Sequence, residues 1–500
     1  MTETVSPIQI AQARGLREQD RALVLRLVDE WRVHVTRNEL RHTYYTMHNK
    51  LIDLGISVPP ELKNLNAACG WGKKCVDVMV EHSKFDGFTV ADPEAQRELD
   101  AIVRDCKMRP KYRKAATSAL EQCFALWFVS RDEAGRARVN AYPANVCGVT
   151  WEYAKDDIEA ACFVVSLKTL QGGYTVPDWI NVVTDEYLIR IKAQPGGIWA
   201  AEYEPHGLGR VPCFAMAYEP TLHRPLGTSR ITREVMGYID SAVRANVNEE
   251  IASAFAASAQ KYLLGTDGDP FENITKWQAF IGNIFNIDKD EDGDVPTFGQ
   301  LPQPSMQPLS DHWRLLCGRM SAATGIHVSQ FGQVHDNPAS SDAIYAENEP
   351  LILKVKDWNE DAGSVLSDVA IALLATNRGV SFDAIRAENI GVESRFRNPS
   401  MPTLAQQTDS SVKIAAMVDG FSMTETFWEM NGFGAEERSR IMRELRRVQG
   451  DRLLMQLIGG MSGEDTEGGA ATLPSVTGQS DQGSGNSGVN VGRAMDEVES

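Results

Sequence analysis

Apolar positions near the start of the chain recur at helical spacing: Leu16, Leu23, Leu27, Val28, Trp31 and Val35 fall on one stripe. Residues 8–54 are therefore predicted helical, up to the Val58-Pro59-Pro60 break. The texture changes between about 120 and 218. Short aromatic or β-branched runs appear there at Phe124 to Val129, Val146 to Trp151, Cys162 to Leu167, Trp179 to Val183, Tyr187 to Ile191 and Val211 to Tyr218. Between them stand the turn compositions Asp132-Glu133-Ala134-Gly135, Gln171-Gly172-Gly173 and Pro195-Gly196-Gly197, so this part reads as antiparallel β.

At Ser229 the period returns to helical. Ile231, Val235, Ile239, Ala242, Val243, Val247, Ile251 and Phe255 predict one helix running to about Tyr262, roughly thirty residues and about 50 Å long. Its second half is crowded with small residues, among them Ala252, Ala256 and Ala259, which let helices approach closely. That composition suits packing against copies of the same helix, and equally a high-propensity core helix of one subunit. A strand-like run, Phe280 to Ile287, an acidic turn and a connection through Pro296, Pro302, Pro304 and Pro308 come next. A second helix is predicted from Ser310 to Thr324, closed by Gly325, then a loop from Phe331 to Ser341 and a long helix from Asp342 to about Thr376. Ser422 and Glu425 have capping-box spacing ahead of Phe427 and Trp428, and a charged helix is expected from Glu436 to Leu457. From Gly459 the chain is Gly, Ser, Thr, Gln and Asp with few large apolar residues, a composition that predicts disorder.

Composition narrows the function classes. The chain has 500 residues, 43% of them hydrophobic, which is enough to bury a real core. Its purest apolar run, Val369 to Ala375, is far too short to span a bilayer, and no basic start followed by an apolar block opens the chain; no membrane partner is expected. Eight scattered cysteines without a C-x-x-C pair read as buried free thiols. The net charge of −18 argues against sequence-reading DNA binding, which needs clustered Lys and Arg on phosphates. An acidic wall is compatible with a channel through which a polyanion slides.

Candidate chemistry is sparse. Residues Asp288, Asp290, Asp292 and Asp294, with Gly293, match the first half of an EF-hand loop, but the twelfth position is Gly299 where a bidentate Glu is required. The failed ligand count and the flanking Pro296 favour a solvated hairpin tip over a metal site. No G-x-x-x-x-G-K-[ST], H-E-x-x-H or G-x-S-x-G occurs, and the nine histidines form no ligand-spaced set. No cofactor and no catalytic residue is assigned. The segment Asp336, Asn337, Pro338, Ala339, Ser340, Ser341 and Asp342 reads either as a helix start capped by Ser340, Ser341 or Asp342, or as a loop presented to a ligand.

Several segments, taken in order, resemble the portal proteins of siphovirus-type phages, in particular the Gp6-like portal family. They are Tyr44-Tyr45 with Leu51 to Ile56, Cys75-Val76-Asp77 and Phe85-Asp86-Gly87-Phe88; then Leu226-Gly227-Thr228-Ser229-Arg230-Ile231 and Gln260 to Gly265. Thr324-Gly325-Ile326, Asp336 to Ile344 with Glu347 and Glu349, and Gly420 to Thr426 complete the series, which spans about 40 to 440. The family often carries a proline near Gln260, where this chain has Ala259.

The resemblance implies an α+β portal fold: a helix-rich and antiparallel β wing, long stem helices, a small α/β clip and a helical crown. On this chain it implies wing over 1–228, with its β-rich part at 120–218, a first stem helix over 229–262, a clip over 263–307 and a second stem helix over 308–325. A tunnel-loop region over 326–341, a long wing helix over 342–385, a crown over 386–458 and a disordered tail over 459–500 follow. Asp336 to Ser341 would face DNA, Ala252, Phe255, Ala256 and Ala259 would pack the stem, and the acidic turn would sit on the clip. The implied partners are further copies in a dodecameric ring, the terminase large subunit, major capsid and scaffolding proteins, a head-completion or adaptor protein, and double-stranded DNA passing without sequence recognition. The implied place is a capsid vertex of the virion, assembled in the bacterial cytoplasm, with no enzymatic activity. Two other readings stand beside it: a minor head or adaptor protein, and a metal-dependent phage nuclease using the 288–294 carboxylates.

Overall fold

The computed structural model describes residues 7–49, 68–169, 175–257, 261–264, 297–300, 302, 305–333, 341–388, 391–400 and 404–460. The chain divides into two compact units, the first ending at Pro402 and the second beginning at Thr403. The fold is α+β.

The N-terminal apolar stripe forms two helices rather than the single one predicted over 8–54. They are α1 (Pro7–Ala11) and α2 (Glu18–Tyr45). Between them Arg14 pairs with the edge of a strand: its N–H donates to the Trp199 carbonyl at 2.7 Å, and its carbonyl accepts from Ala201 N at 2.9 Å. Gly15 sits at φ +88°, where a Cβ would stand 2.8 Å from the Ala201 carbonyl, so the strand contact breaks the helix there.

Next come α3 (Trp71–His82), β1 (Phe85–Thr89), α4 (Pro93–Asp105) and α5 (Met108–Gln122). Asp92 starts α4 by accepting from the Glu94 and Ala95 N–H groups, with Pro93 as the first helical residue. The expected β region follows as β2 (Phe124–Arg131), β3 (Ala137–Pro143), β4 (Cys147–Glu152), β5 (Asp157–Thr169), β6 (Thr175–Val183), β7 (Tyr187–Ala193), β8 (Trp199–Pro205) and β9 (Cys213–Ala217). Strands β3 and β8 are additions to the sequence reading: each alternates apolar with polar or charged residues and lacks the dense apolar run used to find the others.

Strands β4 to β8 make a five-stranded antiparallel meander, and β3-β2-β9 a three-stranded sheet. Side-chain alternation stacks them into four layers. Ala160, Cys162, Val164, Ile180, Val182, Ile189 and Ile191 face a core shared with Leu27, Trp31 and Val35 of α2. The opposite face, with Ala161, Phe163 and Leu188, meets Phe124, Leu126 and Phe128 of β2. The other face of β2, Ala125, Trp127 and Val129, looks into the largest core, built mostly by helices. Strand β2 is thus buried on both sides, and its sequence is apolar without alternation.

The chain then forms α6 (Arg233–Ala257), β10 (Lys261–Leu264), β11 (Thr297–Gln300), α7 (Gln307–Thr324), α8 (Ser341–Arg378), α9 (Phe382–Ala387) and β12 (Glu393–Phe396). Strand β12 pairs antiparallel with β1. Buried Asp86 of β1 is faced there by Arg109, Arg395 and Arg397, at 3.4, 3.8 and 3.7 Å. Residues 391–400, which the resemblance gives to the crown, therefore belong to the first unit. All eight cysteines are buried free thiols.

The second unit contains α10 (Leu404–Met417), α11 (Glu425–Met430) and α12 (Ala435–Gly460). The cap of α11 is Thr424, not Ser422: the Thr424 hydroxyl accepts from Phe427 N, while Ser422 lies in a 3-10 turn. Buried Arg438 on α12 reaches Glu425 and Glu429 of α11 at 3.3 and 3.6 Å, and the Ser411 hydroxyl donates to Asn431 at 2.9 Å.

Candidate functional site

The helix predicted over 229–262 is shorter at both ends. Ser229 to Ile231 form a buried bend, in which the Ser229 hydroxyl donates to the Glu121 carbonyl and accepts from Ile231 N. Tyr262 lies in β10. The helix itself, α6, has 25 residues and spans about 37 Å.

Burial along α6 and α7 is graded in opposite directions. Val235, Ile239, Ala242 and Val243, in the first half of α6, are buried in the large core, as are Leu316, Cys317, Met320 and Thr324 in the second half of α7. Beyond them Val247, Ile251, Ala252 and Ala256 are only half-buried, and Asn248, Glu249 and Glu250 are exposed. Gln307, Asp311, His312, Arg314 and Leu315 at the start of α7 are exposed as well. The two helices thus form an antiparallel arm, rooted in the core and emerging from it. Further out the chain continues as the antiparallel pair β10 and β11, in register from Lys261 opposite Gln300 to Leu264 opposite Thr297.

Pro308 sits in the first turn of α7, where its missing N–H costs nothing, so the helix begins at Gln307 rather than at Ser310. It ends as predicted at Gly325, in the left-handed region at φ +71°.

The root of the arm is tied by Arg230. This guanidinium is 4% exposed and donates to the Cys75 carbonyl of α3 at 2.5 Å, the Tyr218 hydroxyl at 3.1 Å and the Thr324 carbonyl of α7 at 2.8 Å. One side chain just ahead of α6 therefore joins α3, the segment after β9 and the root of α7, using the fork of donors that only Arg supplies. Burial pushes the Tyr218 hydroxyl up to about 12, opposed by the Arg230 charge. Burial, and then the same charge, holds the Lys354 ammonium of α8 below its ordinary value. A second tie runs from Asp240 of α6, which accepts from the Tyr44 hydroxyl at 2.9 Å and from Asn49 at 3.0 Å.

Of the sequence-derived site residues, Ala252 and Ala256 stand together on the emerging half of α6, and Phe255 is in the same helix with its side chain outside the described residues. Ser341 is the first residue of α8, in agreement with the helix-start reading of that segment. Asp336 to Ser340, Ala259, the acidic turn at Asp288, Asp290, Asp292 and Asp294, the strand-like Phe280 to Ile287, the turn at Gln171 to Gly173 and the tail from 461 onward lie outside the described residues. Arg230 entered the sequence reading only as part of a likeness. Its signal was a lone charge between small and apolar residues just ahead of an apolar-periodic stretch. Among the described residues, no cluster of three or more His, Cys, Asp or Glu is arranged to hold a metal ion, and no helix is long and apolar enough to cross a membrane.

No protein-family model matches the chain. A structural likeness covers 77% of this chain and 94% of a chain from the neck of a native gene transfer agent particle, at 11% identity and a TM-score of 0.41. In sequence the chain is similar to the portal protein of Mycobacterium phage D29, at 22% identity over 430 residues, and to that of Mycobacterium phage L5, at 22% over 431; each match covers 80% of this chain and 83% of the relative.

Proposed function

We propose that this protein is the portal of a tailed-phage head: a ring of identical copies at one capsid vertex of the virion, around a channel for double-stranded DNA. The role is structural and non-enzymatic. What carries the reading is the likeness to two phage portal proteins across four fifths of both chains, in a protein whose paired helices leave the core as an arm. A ring subunit must bury surface against two neighbours through a head-to-tail contact that closes by rotation. Small residues at Ala252 and Ala256 on an emerging helix permit the close approach such a contact needs.

In this reading the first 228 residues form the wing, α6 and α7 the stem, 263–307 the clip, and the second unit the body of the crown. Asp336 to Ser341 line the channel and the acidic turn marks the clip face, where the terminase large subunit and later a head-completion protein dock. Capsid and scaffolding proteins surround the wing. Twelve copies close the ring, and the subunit is of the Gp6-like kind. Negative-stain imaging of the purified chain tests the reading. Annular particles with a central hole are expected, and compact particles without one at several salt concentrations would refute it.

A further inference from the structure

A cationic cavity lies on the first unit, in a chain whose net charge is −18. It encloses about 490 Å³, within the range of about 300–1,000 Å³ usual for small-ligand sites. One wall is a stripe along α2: Arg26, Glu30, His34, Arg37 and Arg41, spaced three and four apart so that they share a helix face. The opposite wall is β4 together with Arg224 to Thr228.

The stripe is neutralised at one end only. Arg26 is held by Glu159 at 2.5 Å. His34 contacts Glu30 through Nε2 at 3.2 Å and Arg37 through Nδ1 at 3.1 Å, so the imidazole donates to the carboxylate and accepts from the guanidinium. At the other end Arg41 donates to Asn38 and to the Gln122 carbonyl, both neutral. Arg224 extends from a turn pinned by reciprocal backbone hydrogen bonds with Thr221, at 3.1 and 2.8 Å. Among the described residues none of Arg37, Arg41 and Arg224 forms an ion pair. Burial and the like charges of Arg37 and Arg224 hold the Arg41 guanidinium below its ordinary value. Three guanidinium groups without an ion pair among the described residues therefore line the cavity, whose own carboxylates, Glu30 and Glu159, are engaged by His34 and Arg26.

We propose that this cavity binds a phosphate group, with Arg37, Arg41 and Arg224 as its charge partners. A tetrahedral anion with several acceptor oxygens can take charge-assisted bonds from three guanidinium groups at once, more than one carboxylate can accept. The volume leaves room for what the phosphate is attached to. Trp151, whose indole N–H is buried without a partner, also belongs to the cavity wall.

The test is calorimetric titration of the full-length protein with inorganic pyrophosphate and, separately, with a short DNA duplex, in low-salt chloride buffer. Pyrophosphate is expected to bind with one site per chain. R37A/R224A, which removes two exposed side chains, is expected to weaken it about tenfold or more with the thermal unfolding midpoint unchanged. Arg41→Gln, unfolding like the wild type, should weaken it as well. Displacement of pyrophosphate by the duplex assigns the phosphate to nucleic acid, and pyrophosphate binding without duplex binding assigns it to a small phosphorylated molecule. Binding of neither probe by the wild type, or equal binding by R37A/R224A, overturns the site. Loss of self-association in R37E/R224E, with no wild-type binding of either probe, also overturns it, because the guanidinium groups then serve acidic side chains of a second copy.

Discussion

The sheet stack and the arm follow opposite rules. In the stack, β2 and β5 are covered on both faces, α2 packs on one side and the helical core on the other, and apolar positions find their partners within one chain. In the arm, α6 and α7 share that completeness only at the root; a few turns further out, Val247, Ile251 and Ala252 are left half-covered and Leu315 exposed. A region finished by its own chain is a scaffold. One left unfinished in a regular helical pattern has apolar positions to offer outside the chain, and in the proposed ring a neighbouring copy would cover them.

Substitutions at the junction and on either side of it test this contrast. The largest effect is expected at the tie between the two regions. Arg230→Ala leaves the Thr324 carbonyl, at the end of α7, buried without its donor and removes a second donor from the Cys75 carbonyl, and should cost about 2–4 kcal/mol in urea unfolding. An unchanged midpoint would mean that the arm is not anchored there. Within the stack, Gly148→Ala places a Cβ 2.1 Å from the Leu27 carbonyl, so α2 must lift from the meander, at about 1–3 kcal/mol by the same measurement.

The arm itself offers a paired comparison. Ala242→Leu, in the buried root, should destabilise the isolated chain by about 1–3 kcal/mol. Ala252→Leu, about three turns further out on the same helix, should change unfolding by less than about 0.5 kcal/mol while reducing the yield of closed rings in size-exclusion chromatography and micrographs. Equal unfolding losses at both positions would erase the distinction between root and arm.

The smallest effect concerns Asp368 on α8, whose carboxyl is held above its ordinary value by burial, with Arg210 and Arg386 opposing and Asp157 adding. A raised carboxyl pKa favours the protonated form in the folded state. Its contribution is fully present below the ordinary carboxylate range and is lost as pH rises through the folded value. Asp368→Asn should therefore match the wild type in acid and exceed it modestly at neutral pH, read as the difference between two stability–pH curves.

Much of the fold was legible because it is written in periodicity. The β region, the end of α7 at Gly325 and the long α8 follow from local patterns whose signals are strong. The failures share a cause. The break at Gly15, the buried bend at Ser229 to Ile231 and the early end of α6 go with tertiary partners, namely the edge of β8, the Glu121 carbonyl and the pairing of Lys261 with Gln300, that lie far away in sequence. The site is less legible still. The three arginines facing buried Asp86 come from α5, from within β12 and from the residue just after it, and no short window of sequence contains all three. Along α2, by contrast, the stripe from Arg26 to Arg41 is visible in the spacing alone, and only its meeting with Arg224 requires the fold.

The pairing of β1 with β12 has a consequence for how each copy is made. His82 and Pro399, which hydrogen-bond beside this sheet, are 317 residues apart, and everything between them, the arm included, is translated before the second strand exists. The nascent chain carries an open edge at β1 throughout, and closes its body only when the last residues of the first unit leave the ribosome. In the proposed ring, contact with neighbours would therefore follow completion of the first unit, and shortening the chain ahead of Phe396 should yield protein that aggregates through that edge, read by size-exclusion chromatography.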